Sequence, residues 1–236
     1  MRANSFYNKY IKRLLDILLS LCAIIVLSPV YLVLWILVAA KLGRPVLFRQ
    51  ERPGLNEKLF PMRKFRSMTS ETDSQGNLLP DEVRLTSFGA KLRDTSMDEL
   101  PELFSILRGE MSIVGPRPQL VRDMVFMTDE QRRRHLVRPG LTGLAQVRGR
   151  NNISWEDKLA YDLEYMDNIS FIYDLKIIFM TVASVLRRED VATDGMATAE
   201  DLGDYLLRMG HVDKETYDLK QQEARDIIEA YRAGNL

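Results

Sequence analysis

The sequence is poor in the side chains that most often carry metal and redox chemistry. Among 236 residues there is one cysteine, Cys22, and there are two histidines, His135 and His211. A single thiol excludes a disulfide framework and a thiolate metal cage. Two histidines leave little from which to build a zinc site. Net charge is missing as well, because 33 Lys and Arg balance 33 Asp and Glu. There is no G-x-x-x-x-G-K-[ST] loop and no G-x-G-x-x-G fingerprint. No internal repeat or low-complexity tract interrupts the chain. With 28% charged and 46% apolar residues the composition is that of a globular protein. It excludes a disordered tail, a collagen and a polytopic membrane protein. The chemistry must rest on carboxylates, arginines, lysines and hydroxyls.

The zero balance conceals an asymmetry. Residues 1–150 carry a net +9 and residues 151–236 a net −9. A basic first part points to an anionic partner such as phosphate, nucleic acid or a lipid surface, or to docking between the two parts. Nucleic acid fits poorly, because the basic segments lack interleaved aromatics.

Residues 17–40 contain no charge, with Lys9, Lys12 and Arg13 before them and Lys41 and Arg44 after. A helix of that length reaches roughly 36 Å, enough for the roughly 30 Å hydrocarbon core of a bilayer. It is too long for a cleaved signal peptide and no small-residue cleavage site follows. Ser28-Pro29 lies at its middle, where proline removes a helical hydrogen bond and produces a kink. Both flanks are basic, so the positive-inside rule has no gradient to act on. A kinked span and a re-entrant hairpin with both ends on the cytoplasmic face are both compatible with this pattern.

The rest reads as a soluble domain. Residues 46–50 and 58–64 flank a Pro-Gly turn and suggest a β-hairpin. Residues 69–82 read as a loop, and 84–93 and 98–107 as helices. Thr128 and Gln131 have capping-box spacing, residues 139–147 read as a loop with a short strand, and Ser154 opens a helix. Residues 170–188 have helical apolar spacing ending in Arg187-Arg188, which suits either an interfacial amphipathic helix or a core-facing one. The last stretch, about 203–236, is an acidic pair of helices with Thr198 and Asp213 as expected caps. Tyr217, Ile227, Ile228 and Tyr231 give it a thin apolar stripe, suited to docking on the basic part of the chain or to forming a homodimer. No catalytic group is expected from it.

The stretch 93–101, RDTSMDELP, admits two readings. Ser96 and Glu99 have capping-box spacing, and acidic residues in a first helical turn are stabilised by the helix dipole. Alternatively, the adjacent carboxylates Asp98 and Glu99 hold a hard cation that bridges to phosphates, and one acts as a nucleophile on phosphorus. Cations that could hold phosphate lie nearby in sequence: Lys64 and Arg66 in KFRSM, Arg93, Arg117 between two prolines, Arg138 in RPG, and Arg148 and Arg150 in RGRN. Cys22, inside the hydrophobic run, is a poor nucleophile candidate. His135, after three arginines, reads as solvated or lipid-facing rather than as a base.

Taken in order, FRQERPGLNEKLFPMRKFRSM, LRDTSMDELPELFSILRGEMSIVGPRP and VRPGLTGLAQVRGRN resemble the bacterial sugar transferase family, the small monotopic phosphoglycosyl transferases. The resemblance covers roughly residues 5–202. Within the family the sequence is most similar to the members that transfer N,N′-diacetylbacillosamine 1-phosphate. It implies transfer of a sugar 1-phosphate, with an N-acetylated sugar expected, from a UDP-sugar to undecaprenyl phosphate. The products are undecaprenyl-diphospho-sugar and UMP, and the reaction is the first membrane step of glycoconjugate assembly. It further implies a covalent phospho-sugar intermediate on Asp98, Glu99 assisting, and Mg2+ (or Mn2+) held by Asp98 and Glu99. Lys64, Arg93, Arg117, Arg138, Gln146 and Arg150 are the expected substrate- or phosphate-binding residues.

The implied architecture is α+β and mostly helical. A re-entrant membrane helix (1–44) breaks at Ser28 and Pro29, a cytoplasmic catalytic domain (45–202) holds a β-hairpin and interfacial helices, and a helical extension (203–236) follows. The expected location is the cytoplasmic face of the bacterial inner membrane, with membrane lipids as partners. Arg148 departs from the asparagine of the bacillosamine-type enzymes, and Glu102 and Arg108 depart near the dyad. A catalytically silent membrane adaptor is the competing class, against which the intact Asp98-Glu99 pair and PRP and GRN motifs argue. A soluble nucleotide-sugar binder is disfavoured by residues 17–40.

Overall fold

A computed structural model describes residues 3–149, 153–187 and 200–234. Arg150 and Thr198 lie outside them. A wide helical turn at Tyr7–Ile11 leads into α1 (Lys12–Val26), and α2 (Ser28–Leu42) follows. The two are bent by 63°. The break falls at Leu27 (φ −88°, ψ 4°), so Ser28 and Pro29 open the second helix. Proline is tolerated there because the first turn has no intrahelical use for its missing N–H.

Helix α1 is inside out. Its buried positions are Lys12, Asp16 and Ser20, one polar stripe at i, i+4 and i+8. Leu14, Leu18, Leu21 and Ile25 face outward and are exposed. The polar stripe is satisfied by the rest of the chain. Asp16 Oδ1 accepts from Ser112 Oγ at 3.1 Å and the Ile113 amide at 2.9 Å. Lys12 pairs with Asp174, which also accepts from Tyr7 at 2.7 Å and from Tyr165 at 2.8 Å. A buried ion pair needs such extra hydrogen bonds to offset desolvation. Helix α2 buries Leu34, Val38 and Leu42 against Val46, Phe65 and Leu92, and exposes Leu32, Val33, Trp35 and Ile36. Apolar side chains exposed on this scale mark a surface meant for a non-aqueous partner. Among the described residues no single helix is long and apolar enough to cross a membrane; the bent pair passes that test only when taken together.

The expected hairpin is β1 (Leu47–Pro53) and β2 (Leu59–Phe65), antiparallel, with Leu47 opposite Phe65 and Pro53 opposite Leu59. Next come α3 (Asp81–Arg84), α4 (Ser87–Asp94) capped by Thr86, a 3-10 turn at Met97–Glu99, and α5 (Glu102–Arg108). Then follow β3 (Ser112–Val114), α6 (Val121–Met124), α7 (Asp129–Arg132), β4 (Gly140–Thr142) and α8 (Leu144–Gly149). The chain continues with α9 (Trp155–Asn168), α10 (Phe171–Arg187), α11 (Leu202–Arg208) and α12 (Lys214–Arg232). The Thr128 capping box and the Ser154 cap form as expected.

The sequence did not suggest that β3 and β4 would pair in parallel. This brings Gly115 of GPRP against Gly140 of RPG, where a Cβ on Gly140 would lie 2.1 Å from the Gly115 nitrogen. Both motifs therefore need glycine for backbone contact. Beyond the strand, residues 144–149 are helical where a loop was expected, with Leu144 and Ala145 buried. Helix α10 answers to both readings of it: Asp174 and Ile177 are buried, while Phe171, Ile172, Phe179 and Val182 are exposed. The C-terminal stretch docks on its own chain. Ala224, Ile227, Ile228 and Tyr231 of α12 pack against Leu59, Val121, Met124 and Val125, and Arg232 reaches Glu51 at 3.0 Å.

Candidate active site

Ser96 does not cap a helix. It sits in the left-handed region (φ 52°, ψ 21°) and its side chain caps nothing. For a residue with a Cβ this conformation is disfavoured. It closes a tight turn that lays Asp98 and Glu99 on a 3-10 segment ahead of Pro101 and α5. The Glu99 carboxylate turns away from Ser96 and meets Lys64 Nζ and Arg117 Nη2, each 2.6 Å from Oε1. The expected capping box is thus overturned: ion pairing across the fold outcompetes a local hydrogen bond.

This cluster joins three elements. Lys64 comes from β2, Glu99 from the 3-10 turn, and Arg117 from the loop after β3. Lys64 also stands 3.3 Å from Glu102 Oε1. That oxygen is buried and no donor is aligned on it. Burial pushes the Glu102 carboxyl up to about 7, with Lys64 opposing and Glu99 adding. Burial would also raise Glu99, but Arg117 and Lys64 outweigh it and hold that carboxyl well below its usual range. Asp98 is 7% exposed. Burial raises its carboxyl, Lys64 opposes this, the neighbouring Glu99 charge adds to it, and Arg117 and Arg93 oppose it. The dyad is therefore split electrostatically, with Glu99 locked as an anion between two cations and Asp98 the more basic partner.

Lys64, Glu102 and Arg117 line a cleft of about 260 Å³ together with Asp123, Trp155, Lys158 and Asp201. Arg52 also lines it. Behind Arg117 is a buried scaffold in which Arg134 pairs with Asp162 at 2.7 Å and donates to the Arg117 carbonyl. His135 is buried, not solvated as its sequence context suggested, and its Nδ1 lies 3.2 Å from Glu57.

Of the expected phosphate residues, Lys64 and Arg117 line the cleft. Arg93 donates through Nε to Ser67 Oγ at 2.9 Å and acts electrostatically on Asp98. Arg138 is turned elsewhere, donating to the Gly109 carbonyl at 2.9 Å. Gln146 donates to the Leu141 carbonyl at 3.1 Å and does not line the cleft. Arg66 is structural, binding the carbonyls of Leu42 and Pro45 at 2.6 and 3.1 Å. Arg148 stacks on Tyr161. Arg52, Trp155 and Lys158 escaped sequence reasoning. Only the position of Trp155 and Lys158 one helical turn apart hinted at a shared face. Among the described residues no three His, Cys, Asp or Glu side chains gather where they could enclose a metal.

Comparison with known proteins places the chain in a family. The model of the family described as bacterial sugar transferase matches residues 7–188. The chain is 49% identical over 190 residues to an uncharacterized sugar transferase, EpsL, of Bacillus subtilis, covering 80% of this chain and 94% of that one. It is 41% identical to the UDP-glucose:undecaprenyl-phosphate glucose-1-phosphate transferase of Klebsiella pneumoniae, covering 74% of this chain and 40% of that protein. It is 34% identical to the undecaprenyl-phosphate galactose phosphotransferase of Salmonella typhimurium, covering 77% of this chain and 42% of that protein. The chain thus spans nearly all of the first relative and about two-fifths of the other two.

Proposed function

The chain belongs to the bacterial sugar transferase family, and from that premise we propose that it moves a sugar 1-phosphate from a UDP-sugar to undecaprenyl phosphate. The observation that carries the chemistry is the split dyad. A carboxylate nucleophile must be free of strong donors. No hydrogen bond reaches the Asp98 carboxylate among the described residues, whereas Glu99 is held by Lys64 and Arg117. In the first step an Asp98 oxygen attacks the sugar-bearing phosphorus, the P–O bond to UMP breaks, and UMP leaves with that oxygen. In the second, a phosphate oxygen of the lipid attacks the same phosphorus and Asp98 is released. Covalent catalysis of this kind divides one displacement into two and lets UMP depart before the lipid phosphate enters. Lys64, Arg93 and Arg117 supply positive charge around the reacting phosphate.

Adjacent carboxylates are hard oxygen donors, which suit Mg2+ or Mn2+ bound together with substrate phosphates and water rather than in an all-protein cage. Asp98 and Glu99 would hold the ion, which when bound neutralises charge on the diphosphate.

The inverted polarity of α1 and the bent pair support a re-entrant segment, with the exposed apolar face of α10 lying in the same interface. The site then faces the cytoplasmic side of the inner membrane. Labelling single cysteines at positions 5 and 45 in a Cys22→Ser background tests this: both are to react from the cytoplasmic side, and a periplasmic position 5 overturns the hairpin. The similarity to bacillosamine-type enzymes supports an N-acetylated donor, whereas two of the relatives above carry glucose and galactose in their names. The deciding experiment measures UMP release from a panel of UDP-sugars with undecaprenyl phosphate in nanodiscs. Release with an N-acetylated donor is expected. Release from no donor overturns the transferase reading, and release with glucose or galactose alone overturns the choice of sugar.

A further inference from the structure

Among the described residues most charged side chains lining the cleft are ion-paired; Arg52, Lys158 and Asp123 are not. Glu99 and Glu102 face Lys64 and Arg117. Asp201 is paired with Arg122 at 2.6 Å and Glu200 with Arg208 at 2.8 Å. Among the described residues Arg52 and Lys158 form no ion pair with a carboxylate. Arg52 donates only to neutral acceptors, Gln50 Oε1 at 2.8 Å and the Pro118 carbonyl at 3.3 Å. Its Nε is buried and has no partner among the described residues. Burial, then Arg117, depress its guanidinium to about 10, against the opposing pull of Asp123 and Glu102, neither of which is hydrogen-bonded to it.

Lys158 is half-buried, with Nζ 3.9 Å from the centre of the Trp155 ring. The carboxylates that act on it from a distance are Asp123 and Asp162. Both are committed elsewhere. Asp123 accepts from the amides of Leu120 and Leu202 at 3.0 and 2.9 Å, and Asp162 is held by Arg134. Trp155 is fixed in turn, its Nε1 donating to the Glu200 carbonyl at 3.1 Å. The ammonium is thus pinned on a rigid indole at the edge of the cleft. Desolvating two cations without partners is costly unless an anion completes the site.

We propose that Arg52 and Lys158 form the subsite for the nucleoside monophosphate half of the donor, holding the phosphate that departs. This rests on the transferase reading and adds to it. The phosphate under attack must sit within reach of Asp98, beside Lys64 and Arg117, which act on it electrostatically. Arg52 and Lys158 line the same cleft as Lys64 and Arg117, so the second phosphate of a diphosphate bound there shares the cavity with both cations. Arginine offers a planar fork and lysine a point charge to the same group. The lipid acceptor has the same phosphate chemistry, and kinetics distinguish the two sources. A residue for the leaving nucleotide acts before UMP departs and has no part in transfer to the lipid.

The experiment uses the full chain in nanodiscs with Lys158→Gln, Lys158→Arg, Arg52→Gln and Arg52→Lys. The readouts are UMP binding by calorimetry, KM for donor and acceptor separately, and the melting temperature. The two glutamine variants are expected to weaken UMP binding and raise donor KM tenfold or more, with acceptor KM within twofold of wild type. Lys158→Arg is expected to restore most of the affinity. Unchanged UMP affinity and donor KM in the glutamine variants overturn the subsite. So does a rise in acceptor KM alone. Should a glutamine variant fail to fold, its charge-conserving partner decides: near-normal UMP affinity is expected, and a loss equal to that of an unrelated destabilised variant overturns the proposal. A wild-type protein that binds UMP but transfers no sugar phosphate would sink the transferase reading while leaving the nucleotide subsite standing.

Discussion

The Lys64 ammonium lies 2.6 Å from the Glu99 carboxylate across 35 positions of sequence, and 3.3 Å from Glu102. One cation on the hairpin therefore compensates two largely buried acids on the neighbouring turn and helix. Lys64→Met is expected to destabilise the protein by about 3 kcal/mol, because it leaves buried carboxylates under-compensated. Adding Glu102→Gln should recover part of that loss. Melting temperatures of the two single variants and the double variant measure the coupling. Strict additivity would refute the shared role of Lys64.

Asp98→Asn is expected to remove turnover, by on the order of 10³-fold or more, since the amide forms no acyl phosphate. Glu99→Gln should impair it severely by freeing Lys64 and Arg117 from their shared anchor. Mass spectrometry after mixing with donor alone gives a sharper contrast: a phospho-sugar adduct on wild type and none on Asp98→Asn. Equal, mild losses in two folded variants would reduce the pair to a structural role.

Activity is expected to vanish in excess EDTA and return with Mg2+ or Mn2+. A zinc-selective chelator should have no effect, because the donors in reach of a substrate phosphate are oxygens. Full turnover in EDTA would contradict a metal role for Asp98 and Glu99.

Glu57 binds Arg132 and His135, and these hydrogen bonds hold its carboxyl down to about 2. The ordinary value is 4.5. The folded state therefore binds a proton here less readily than the unfolded state. The stabilisation is complete above about 4.5 and is lost as pH falls toward about 2. Burial also lowers the His135 imidazole, so acidification below its ordinary 6.5 acts in the same direction. Wild type is expected to melt at progressively lower temperature on acidification. Glu57→Gln should melt lower at neutral pH and have a shallower slope between pH 4.5 and 2; parallel slopes would disprove the linkage.

Truncation after Gly210 removes α12 but keeps Glu200 and Asp201 at the cleft. It uncovers Leu59, Val121, Met124 and Val125. The expected result is a melting temperature lower by several degrees with kcat per folded molecule within twofold of wild type. A folded truncation that has lost its chemistry would show that α12 acts in catalysis.

Much of this was legible in the sequence where the signal is local. The hairpin, the Thr128 and Ser154 caps and the docking stripe of α12 each follow from spacing within one element. The adjacency of Asp98 and Glu99 was plain, but their surroundings were not. Ser96 has the spacing of a cap, and only the distant Lys64 and Arg117 explain why Glu99 turns away from it. Arg138 and Arg66 look like phosphate ligands beside turn residues, yet they bind backbone carbonyls, and a sequence pattern does not distinguish the two uses of a guanidinium. Lys158 looks like one more helix lysine until Asp123 and Asp162 are seen to be taken.

The attachment of α1 has a mechanical consequence. Arg13 holds the carbonyls of Ile106 and Leu107 at the end of α5. Tyr31 of α2 donates to the carbonyl of Leu100, one residue beyond the dyad. One arm of the bent segment is thus bolted to the end of α5 and the other to the residue that follows the Asp98–Glu99 turn, so the anchor is tied to both sides of the segment that bears the acids. Such a molecule has no independent means of adjusting to a thicker or thinner lipid layer. Hydrophobic mismatch would be met by tilting the whole protein or by deforming the lipid around it. With the bent pair embedded as proposed, bilayer thickness would set the height of Asp98 above the acyl chains, and with it the reach required of a lipid phosphate.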